Sequence, residues 1–223
     1  YHASLVGKYA LERLLRLPVE AEIASEYRYR DPIVTDRTLV IAVSQSGETA
    51  DTLAAAREAK RRGARVWAVT NVVGSSIARE ADAAIYTWAG PEIAVASTKA
   101  YTSQMLALYM LSIYMAERLG TQDRAVLRRL AQRLVELPEK VAQILERYGD
   151  IRRFAEEISR REHAFFIGRG LDYAVALEGS LKLKEVSYIH SEAYAAGELK
   201  HGTLALIEEG TPVIALVTQE ELY

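Results

Sequence analysis

The sequence predicts an α/β fold of doubly wound parallel sheets, in which helices cover both faces of each sheet to give three layers. Along the first third of the chain, short apolar runs rich in β-branched residues alternate with stretches of good helix formers. This alternation requires crossover connections, which pack helices onto a parallel sheet. Half of the 223 residues are hydrophobic, so the chain can bury the core that such sheets need.

Three strands and two helices are predicted in this first third. The run TLVIAV is the first strand, and the polar loop SQSGET at 44–49 follows it. Gly63 is well placed to end the first helix. The predicted strands are 38–43, 65–70 and 83–87, and the predicted helices are 48–62 and 75–80.

A long apolar helix and a helical segment come next. The apolar helix is predicted from Ser97, a natural N-cap, to Leu119, and its thin polar face indicates that it is mostly buried. The segment after it is rich in Arg, Glu and Leu at helical spacing and is interrupted at Pro138. A strand at 164–168, a helix at 172–188 and a strand at 212–217 complete the predicted elements.

An internal repeat divides the chain into two related parts. Sliding the sequence by 172 residues places Tyr1 on Tyr173 and Leu11 on Leu183 without a gap. The second copy has a strand before its helix that the first copy lacks, so we expect a chain cut short at both ends. The predicted domains are a first domain at 1–120 without its first strand, a helical linker at 121–160, and the first half of a second domain at 161–223.

Composition excludes several classes of protein. A formal net charge of -2 gives no basic footprint for nucleic acid, and no apolar run is long enough to span a membrane. The chain has no cysteine, which rules out disulfides and cysteine-based metal sites and suits a cytoplasmic location. We therefore expect no nucleic acid, membrane, metal or cofactor among its partners.

The SQSGET loop is a candidate anion site. It lies between a buried strand and a helix, where unpaired backbone N–H groups and a partial positive charge favour an anion. Ser44, Ser46 and Thr49 add hydroxyl groups, Gln45 adds an amide, and Gly47 permits close backbone approach. The loop has no Lys and is not a nucleotide-binding P-loop, so one phosphate group fits it best. The alternative is that Ser46 merely caps the helix and the other side chains are solvated.

Three charged residues form a second candidate site. Glu178, Lys182 and Glu185 are spaced by four and three residues, which places them on one stripe of the predicted helix. The residues alone favour an exposed ion-pair stripe, worth roughly 0.2–0.5 kcal/mol. The other interpretation is a carboxylate that moves a proton beside a sugar carbonyl.

Several motifs together resemble the glucosamine-6-phosphate synthase family. They are SQSGETADTL from Ser44, GSS at 74–76, VASTKAYTSQ at 95–104, EIASEYRYR at 22–30 and LEGSLKLKEVSYIHSEAYAAGELKHG at 177–202. The resemblance covers essentially the whole chain and is weakest in the linker. It implies tandem SIS (sugar isomerase) domains, of which the second is incomplete.

The resemblance also implies roles for individual residues. Contacts with the sugar phosphate fall on Ser44, Gln45, Ser46, Thr49, Val95 and Ser97. Glu185 matches the base that moves a proton between C1 and C2, and Lys182 supports it by balancing charge. His201 matches the residue that opens the sugar ring, which the partner subunit of a homodimer supplies.

The family makes glucosamine 6-phosphate from fructose 6-phosphate and glutamine. A separate N-terminal glutaminase domain releases the ammonia, and a lysine near the C-terminus also takes part. Neither is recognisable in this sequence, so the resemblance implies impaired chemistry for the fragment. Two alternatives remain open, a fructosamine-phosphate deglycase and a non-catalytic regulator that binds sugar phosphates.

Overall fold

The computed structural model describes residues 1–219, so the last four residues of the predicted second domain, 220–223, lie outside the described residues. The chain separates into two compact units, one containing Ala3–Gln122 and the other the residues from Asp123 onward. Each unit is an α/β structure with its own three-stranded sheet. No helix among residues 1–219 is both long and apolar enough to cross a membrane.

The sheet of the first unit is parallel, with the strand order β1-β2-β3. Its strands are β1 (Leu39–Ser44), β2 (Arg65–Thr70) and β3 (Ala83–Tyr86). The three predicted strands are confirmed to within one residue at each end. Parallel pairing aligns Ser44 with Thr70 at the carboxyl ends of β1 and β2, so the loops that follow these strands leave from the same edge.

Helices pack against both faces of this sheet. They are α1 (His2–Leu15), α2 (Ala24–Tyr27), α3 (Ala50–Arg61), α4 (Ser76–Glu80) and α5 (Lys99–Leu119). On one face, Val66 and Ala68 of β2 belong to a buried cluster with residues of α3 and with Ile77 of α4. On the other, Val69 packs in a cluster with residues of α1 and α5, because successive strand residues point to opposite faces. The doubly wound, three-layer arrangement is thus confirmed here.

Two predictions about α5 are wrong. The helix begins at Lys99 with Thr98 at the N-cap, not at Ser97, and the carboxylate of Glu92 accepts a hydrogen bond from the Ala100 N–H at 3.2 Å. The helix is not mostly buried either, since Met110 and Tyr114 are more than half exposed. The predicted stop at Gly120 is confirmed, with a left-handed φ of 66°.

The second unit begins with three short helices, α6 (Arg124–Val135), α7 (Leu137–Glu146) and α8 (Tyr148–Ile158). Pro138 lies in the first turn of α7, where a residue without an N–H is tolerated, so the predicted interruption at this proline is confirmed. A further break at Arg147 separates α7 from α8 and was not predicted. Whether this segment is a separate linker remains a prediction.

A second parallel sheet follows, with the strand order β5-β4-β6. Its strands are β4 (His163–Gly168), β5 (His190–Ala195) and β6 (Val213–Ala215). Helix α9 (Leu171–Ser187) connects β4 to β5, and a 3₁₀ turn at Thr203–Leu206 precedes β6. The predicted strands and helix are confirmed, except that β6 is shorter than expected and β5 was not predicted.

The repeat is visible in the backbone. Helix α1 ends at Arg16 and α9 ends at Tyr188, two residues that are 172 positions apart. Both adopt the left-handed conformation, with φ of 57° and 62°, and both donate their N–H to the carbonyl four residues earlier. Few non-glycine residues adopt this conformation, so its recurrence at the same offset supports the predicted register.

Ile77 provides a test of the first core. Its side chain is fully buried in the cluster that joins α3, α4 and β2. Ile77→Ala should lower the free energy of unfolding by about 2–5 kcal/mol, because the cavity adds to the lost burial. Urea unfolding monitored by circular dichroism measures this. Ile93→Ala is the matched control, since that side chain is 92% exposed. Equal losses in the two variants would contradict this description of the core.

Candidate active site

The SQSGET loop closes around the hydroxyl of Ser44. This side chain is buried, accepts a hydrogen bond from the Gly47 N–H at 3.1 Å, and lies 3.1 Å from the hydroxyl of Thr49. The Ser46 hydroxyl accepts from the Glu48 N–H at 3.2 Å. Because α3 begins only at Ala50, Ser46 stabilises the loop and does not cap the helix.

The N-terminus of α3 is open for a ligand. Thr49 occupies the N-cap position in an extended conformation, and its side chain makes no capping hydrogen bond. The first backbone N–H groups of a helix have no partner within the helix and carry partial positive charge. The Thr49 residue is exposed and Ser46 is half-buried, so hydroxyl and amide donors meet at an accessible point. This combination can hold an anion without a charged side chain.

The end of the GSS segment (Gly74–Ser76) and the residue after it form hydrogen bonds with the SQSGET loop. The Gly47 carbonyl accepts a hydrogen bond from the Ile77 N–H at 3.1 Å, and the Glu48 carboxylate accepts from the Ser76 N–H at 2.8 Å. The hydrogen bond from Ser76 lowers the pKa of Glu48 below its ordinary value, so this carboxylate is ionised at neutral pH. Glu48 therefore faces α4, where its charge is compatible with the helix N-terminus.

Val95 and Ser97 lie in the segment between β3 and α5. The Val95 side chain is fully exposed, and the Ser97 hydroxyl is 3.5 Å from the carboxylate of Glu92. Within the described part of the chain, no hydrogen bond joins either residue to the SQSGET loop. Sequence reasoning missed Glu92, which caps α5 from eight residues away and so gives no local capping pattern.

In the second unit, the structure brings Glu178, Lys182 and Glu185 together on α9. The Lys182 ammonium group lies 3.5 Å from a Glu178 oxygen and makes a close ion pair with Glu185. Exposure of the side chains rises along the stripe, from 12% for Glu178 through 23% for Lys182 to 33% for Glu185. Glu178 is thus the protected end of the stripe and Glu185 the accessible one.

Lys182 balances two carboxylates. Burial raises the pKa of Glu178, but the hydrogen bonds that it accepts and the charge of Lys182 outweigh burial, so this pKa lies below its ordinary value. Both carboxylates are within reach of one ammonium group, so neither charge is left unpaired. A lowered pKa weakens a carboxylate as a base, so Glu178 is better suited to holding Lys182 in place than to accepting a proton from a ligand.

His201 lies apart from this stripe in the described contacts. It is in the loop after β5, its side chain is 60% exposed, and its Nδ1 atom is 2.9 Å from the carboxylate of Glu198. That carboxylate can orient the imidazole and leave Nε2 free to face a ligand. Residues 1–219 contain no group of three His, Cys, Asp or Glu side chains placed to hold a metal ion.

Comparison with known families identifies the domain family of the chain. The sequence matches the SIS domain family over residues 1–114 and 157–223, which include the SQSGET loop and the charged stripe. The chain belongs to the SIS domain family. The match in two segments agrees with the two sheets and with the 172-residue repeat.

Curated relatives share most of this SIS sequence. The chain is 63% identical over 223 residues to the glutamine–fructose-6-phosphate aminotransferase (isomerizing) of Clostridium tetani, and 61% identical to the enzyme of that name from Caldanaerobacter subterraneus. Each alignment covers 100% of this chain and 37% of the relative. The chain thus spans little more than a third of the length of these relatives.

Solved structures show the same fold. The C-terminal domain of glucosamine-fructose-6-phosphate aminotransferase from Francisella tularensis is 43% identical, with a TM-score of 0.97 over 100% of this chain and 62% of its own. Glucosamine-6-phosphate deaminase from Thermotoga maritima is 27% identical, with a TM-score of 0.79 over 100% of this chain and 66% of its own. The fold of this chain therefore occurs in one protein named as an aminotransferase and in another named as a deaminase.

Gly47 tests the geometry of the loop. Its φ is +69°, and an added Cβ would lie 2.2 Å from the Ser75 hydroxyl. Gly47→Ala should therefore cost about 3 kcal/mol or more in the free energy of unfolding, from strain and steric overlap together.

Gly74→Ala is the matched control for this substitution. Gly74 has a φ of +72°, but nothing lies within 4 Å of an added Cβ, so only the strain of about 1 kcal/mol remains. Urea unfolding of both variants separates the two effects. Equal destabilisation would show that Ser75 does not pack against Gly47 as described.

Proposed function

We propose that this chain is the sugar-phosphate isomerase part of a glutamine–fructose-6-phosphate aminotransferase. The observation that carries the proposal is the 63% identity over all 223 residues to a protein of that name. That alignment includes both the hydroxyl-lined loop at α3 and the charged stripe on α9. The whole protein would convert fructose 6-phosphate and glutamine-derived ammonia to glucosamine 6-phosphate.

The phosphate group of the substrate is assigned to the SQSGET loop. Ser44, Ser46 and Thr49 supply hydroxyl groups there, Gln45 supplies an amide, and α3 supplies its first backbone N–H groups. Charge-assisted hydrogen bonds of this kind are stronger than neutral ones, so the cradle needs no lysine. Val95 and Ser97 are assigned to the sugar, on the family resemblance.

The reaction requires a base that serves two neighbouring carbons. Ammonia adds to the C2 carbonyl of the open-chain sugar, and loss of water gives a C2 imine. Removal of a proton from C1 and its return to C2, with transfer of the C1 hydroxyl proton to the imine nitrogen, then yields the aldose with an amino group at C2. We assign this transfer to Glu185, since its carboxylate is accessible and Lys182 balances its charge.

Ring opening is assigned to His201. The sugar must be open before its carbonyl carbon can react, and an imidazole both donates and accepts protons near neutral pH. Because the family supplies this residue from a partner subunit, the proposal includes a homodimer. It also includes a cytoplasmic location and an N-terminal glutaminase domain. The proposal of a further domain is supported by the greater length of the curated relatives.

The two alternatives are less well supported. A deglycase would run related imine chemistry towards breakdown, but five curated relatives that are 59–63% identical all carry the aminotransferase name. A regulator that only binds sugar phosphates has no need of the Glu178–Lys182–Glu185 stripe. Formation of glucosamine 6-phosphate from fructose 6-phosphate and glutamine by the full-length protein would separate all three.

Glu185→Gln tests the assignment of the base. In the full-length protein, we expect folding and sugar-phosphate binding to be retained, because the amide has nearly the same shape. Proton transfer should fall by about 10²–10⁴, the usual contribution of general acid–base catalysis. The measurement is exchange of the C1 proton of fructose 6-phosphate with deuterated solvent, followed by proton NMR.

Glu157→Gln is the control for this experiment. Glu157 is exposed on α8 and lies outside the proposed machinery, so its substitution should leave the exchange rate unchanged. Exchange at the parent rate in Glu185→Gln would show that another residue is the base. Loss of exchange in both variants would also contradict the assignment, because it would show no special role for Glu185.

A further inference from the structure

Asn71 is the residue at which two loops of the first unit meet. It follows β2 directly, at the carboxyl edge of the sheet where the SQSGET loop begins, and it is half-buried. Its backbone N–H donates a hydrogen bond to the Gln45 carbonyl at 3.0 Å. The residue is therefore attached to the SQSGET loop through its backbone alone.

The carboxamide of Asn71 binds a different segment, residues 87–90, which follow β3. Its Oδ1 accepts from the Ala89 N–H at 2.8 Å and from the Thr87 hydroxyl at 3.1 Å. Its Nδ2 donates to the Gly90 carbonyl at 2.7 Å. A backbone donor and a backbone acceptor fix which way the amide points, so neither aspartate nor leucine would satisfy the same partners.

The segment that Asn71 holds has an unusual backbone. Trp88 has a φ of 52° although it is not glycine, and Gly90 has a φ of 69°. The Trp88 side chain is 77% exposed, and its described ring contact is an edge-on one with Tyr86, with centroids 6.0 Å apart. A left-handed tryptophan that is little packed needs hydrogen bonds nearby to hold it, and the Asn71 carboxamide provides them on both sides.

The same segment leads directly to the residues assigned to the sugar. Two residues after Gly90, Glu92 caps α5 by accepting from the Ala100 N–H at 3.2 Å. Val95 and Ser97 lie between Gly90, which Asn71 holds, and Ala100, which Glu92 holds. The path of the chain through Val95 and Ser97 is thus fixed at one end by Asn71 and at the other by Glu92.

We propose that Asn71 is a positioning residue, which sets the place of the Val95–Ser97 segment relative to the SQSGET loop and thereby the affinity for the sugar part of a hexose 6-phosphate. This inference rests on the proposed function. Asn71 need not touch the ligand, since it acts through the loops on either side. Its two attachments are chemically separate, because one is backbone and the other is side chain.

That separation gives a specific expectation. Asn71→Ala keeps the N–H that binds Gln45 and loses only the three contacts to residues 87–90. In the full-length protein, affinity for inorganic phosphate should therefore stay nearly unchanged. Affinity for fructose 6-phosphate should fall about tenfold, because a small misplacement of binding groups costs that much or more.

Two further variants complete the experiment, with both ligands measured by isothermal titration calorimetry. Asn71→Ser is a neutral variant that also loses the Nδ2 donor to Gly90, so its selective loss should resemble that of the alanine variant, which it replaces if that variant fails to fold. Asp82→Ala removes a carboxylate that accepts from the Val66 N–H at 2.7 Å, at the opposite end of β2. It should lower stability but leave both affinities unchanged.

The outcomes distinguish this inference from the proposed function. A selective loss for fructose 6-phosphate in the Asn71 variants supports positioning. If the parent protein binds fructose 6-phosphate, then equal losses of affinity for the two ligands in the Asn71 variants, or no loss, would overturn the positioning role. A parent protein that binds inorganic phosphate but no fructose 6-phosphate would overturn the proposed function, and the positioning role with it.

Discussion

Parallel pairing of β1 with β2 is the constraint on which the first site depends. The pairing aligns Ser44 with Thr70, so the loop after each strand starts at the same edge of the sheet. Two carbonyl groups of the SQSGET loop then accept hydrogen bonds from the chain after β2. The Gln45 carbonyl accepts from the Asn71 N–H, and the Gly47 carbonyl accepts from the Ile77 N–H. These backbone hydrogen bonds, together with those that the Ser44, Ser46 and Glu48 side chains accept, set the shape of the loop before a ligand binds. Such a preformed cradle lowers the entropic cost of binding.

The two candidate sites use electrostatics in different ways. The SQSGET loop has partial charges from a helix N-terminus and from hydroxyl groups, and its one acidic side chain, Glu48, faces away towards α4. The stripe on α9 uses full charges, two carboxylates around one ammonium group. Holding a phosphate and moving a proton are different tasks, and the first requires donors whereas the second requires an acceptor. The proposed function assigns these two tasks to separate elements, one in each unit.

Local sequence patterns predicted most of the fold. The strands β1, β2 and β4 are apolar runs, and α9 follows the helical pattern closely. By contrast, β5 has the sequence HSEAYA, whose polar residues leave no apolar run that would predict a strand. It is a strand because β4 lies beside it and supplies a ladder of partners, from His163 with His190 to Gly168 with Ala195. The equivalent residues of the first copy, 18–23, form no strand, which agrees with the dependence of strand formation on neighbouring strands.

The candidate site could be predicted only in part, for a similar reason. The SQSGET loop and the charged stripe are contiguous or periodic in the sequence, so their residues could be named in advance. Glu92 and Asn71 act on segments that lie eight to nineteen residues away, through contacts that no local motif records. The wrong N-cap at Ser97 has the same origin, since the α5 terminus is satisfied by Glu92 from outside the helix. Residues that position a loop become visible only when the fold places them beside it.

The central claim, that the loop between β1 and α3 binds the phosphate group of a sugar phosphate, can be tested without any substitution. The measurement is a titration of ¹⁵N-labelled protein with fructose 6-phosphate, observed through backbone amide chemical shifts, with fructose as the control ligand. We predict saturable shifts at Gly47, Ala50 and Asp51 with the phosphorylated sugar and none with fructose. Unchanged amides in this loop while shifts appear elsewhere would contradict the account, because the phosphate would then be bound at another place.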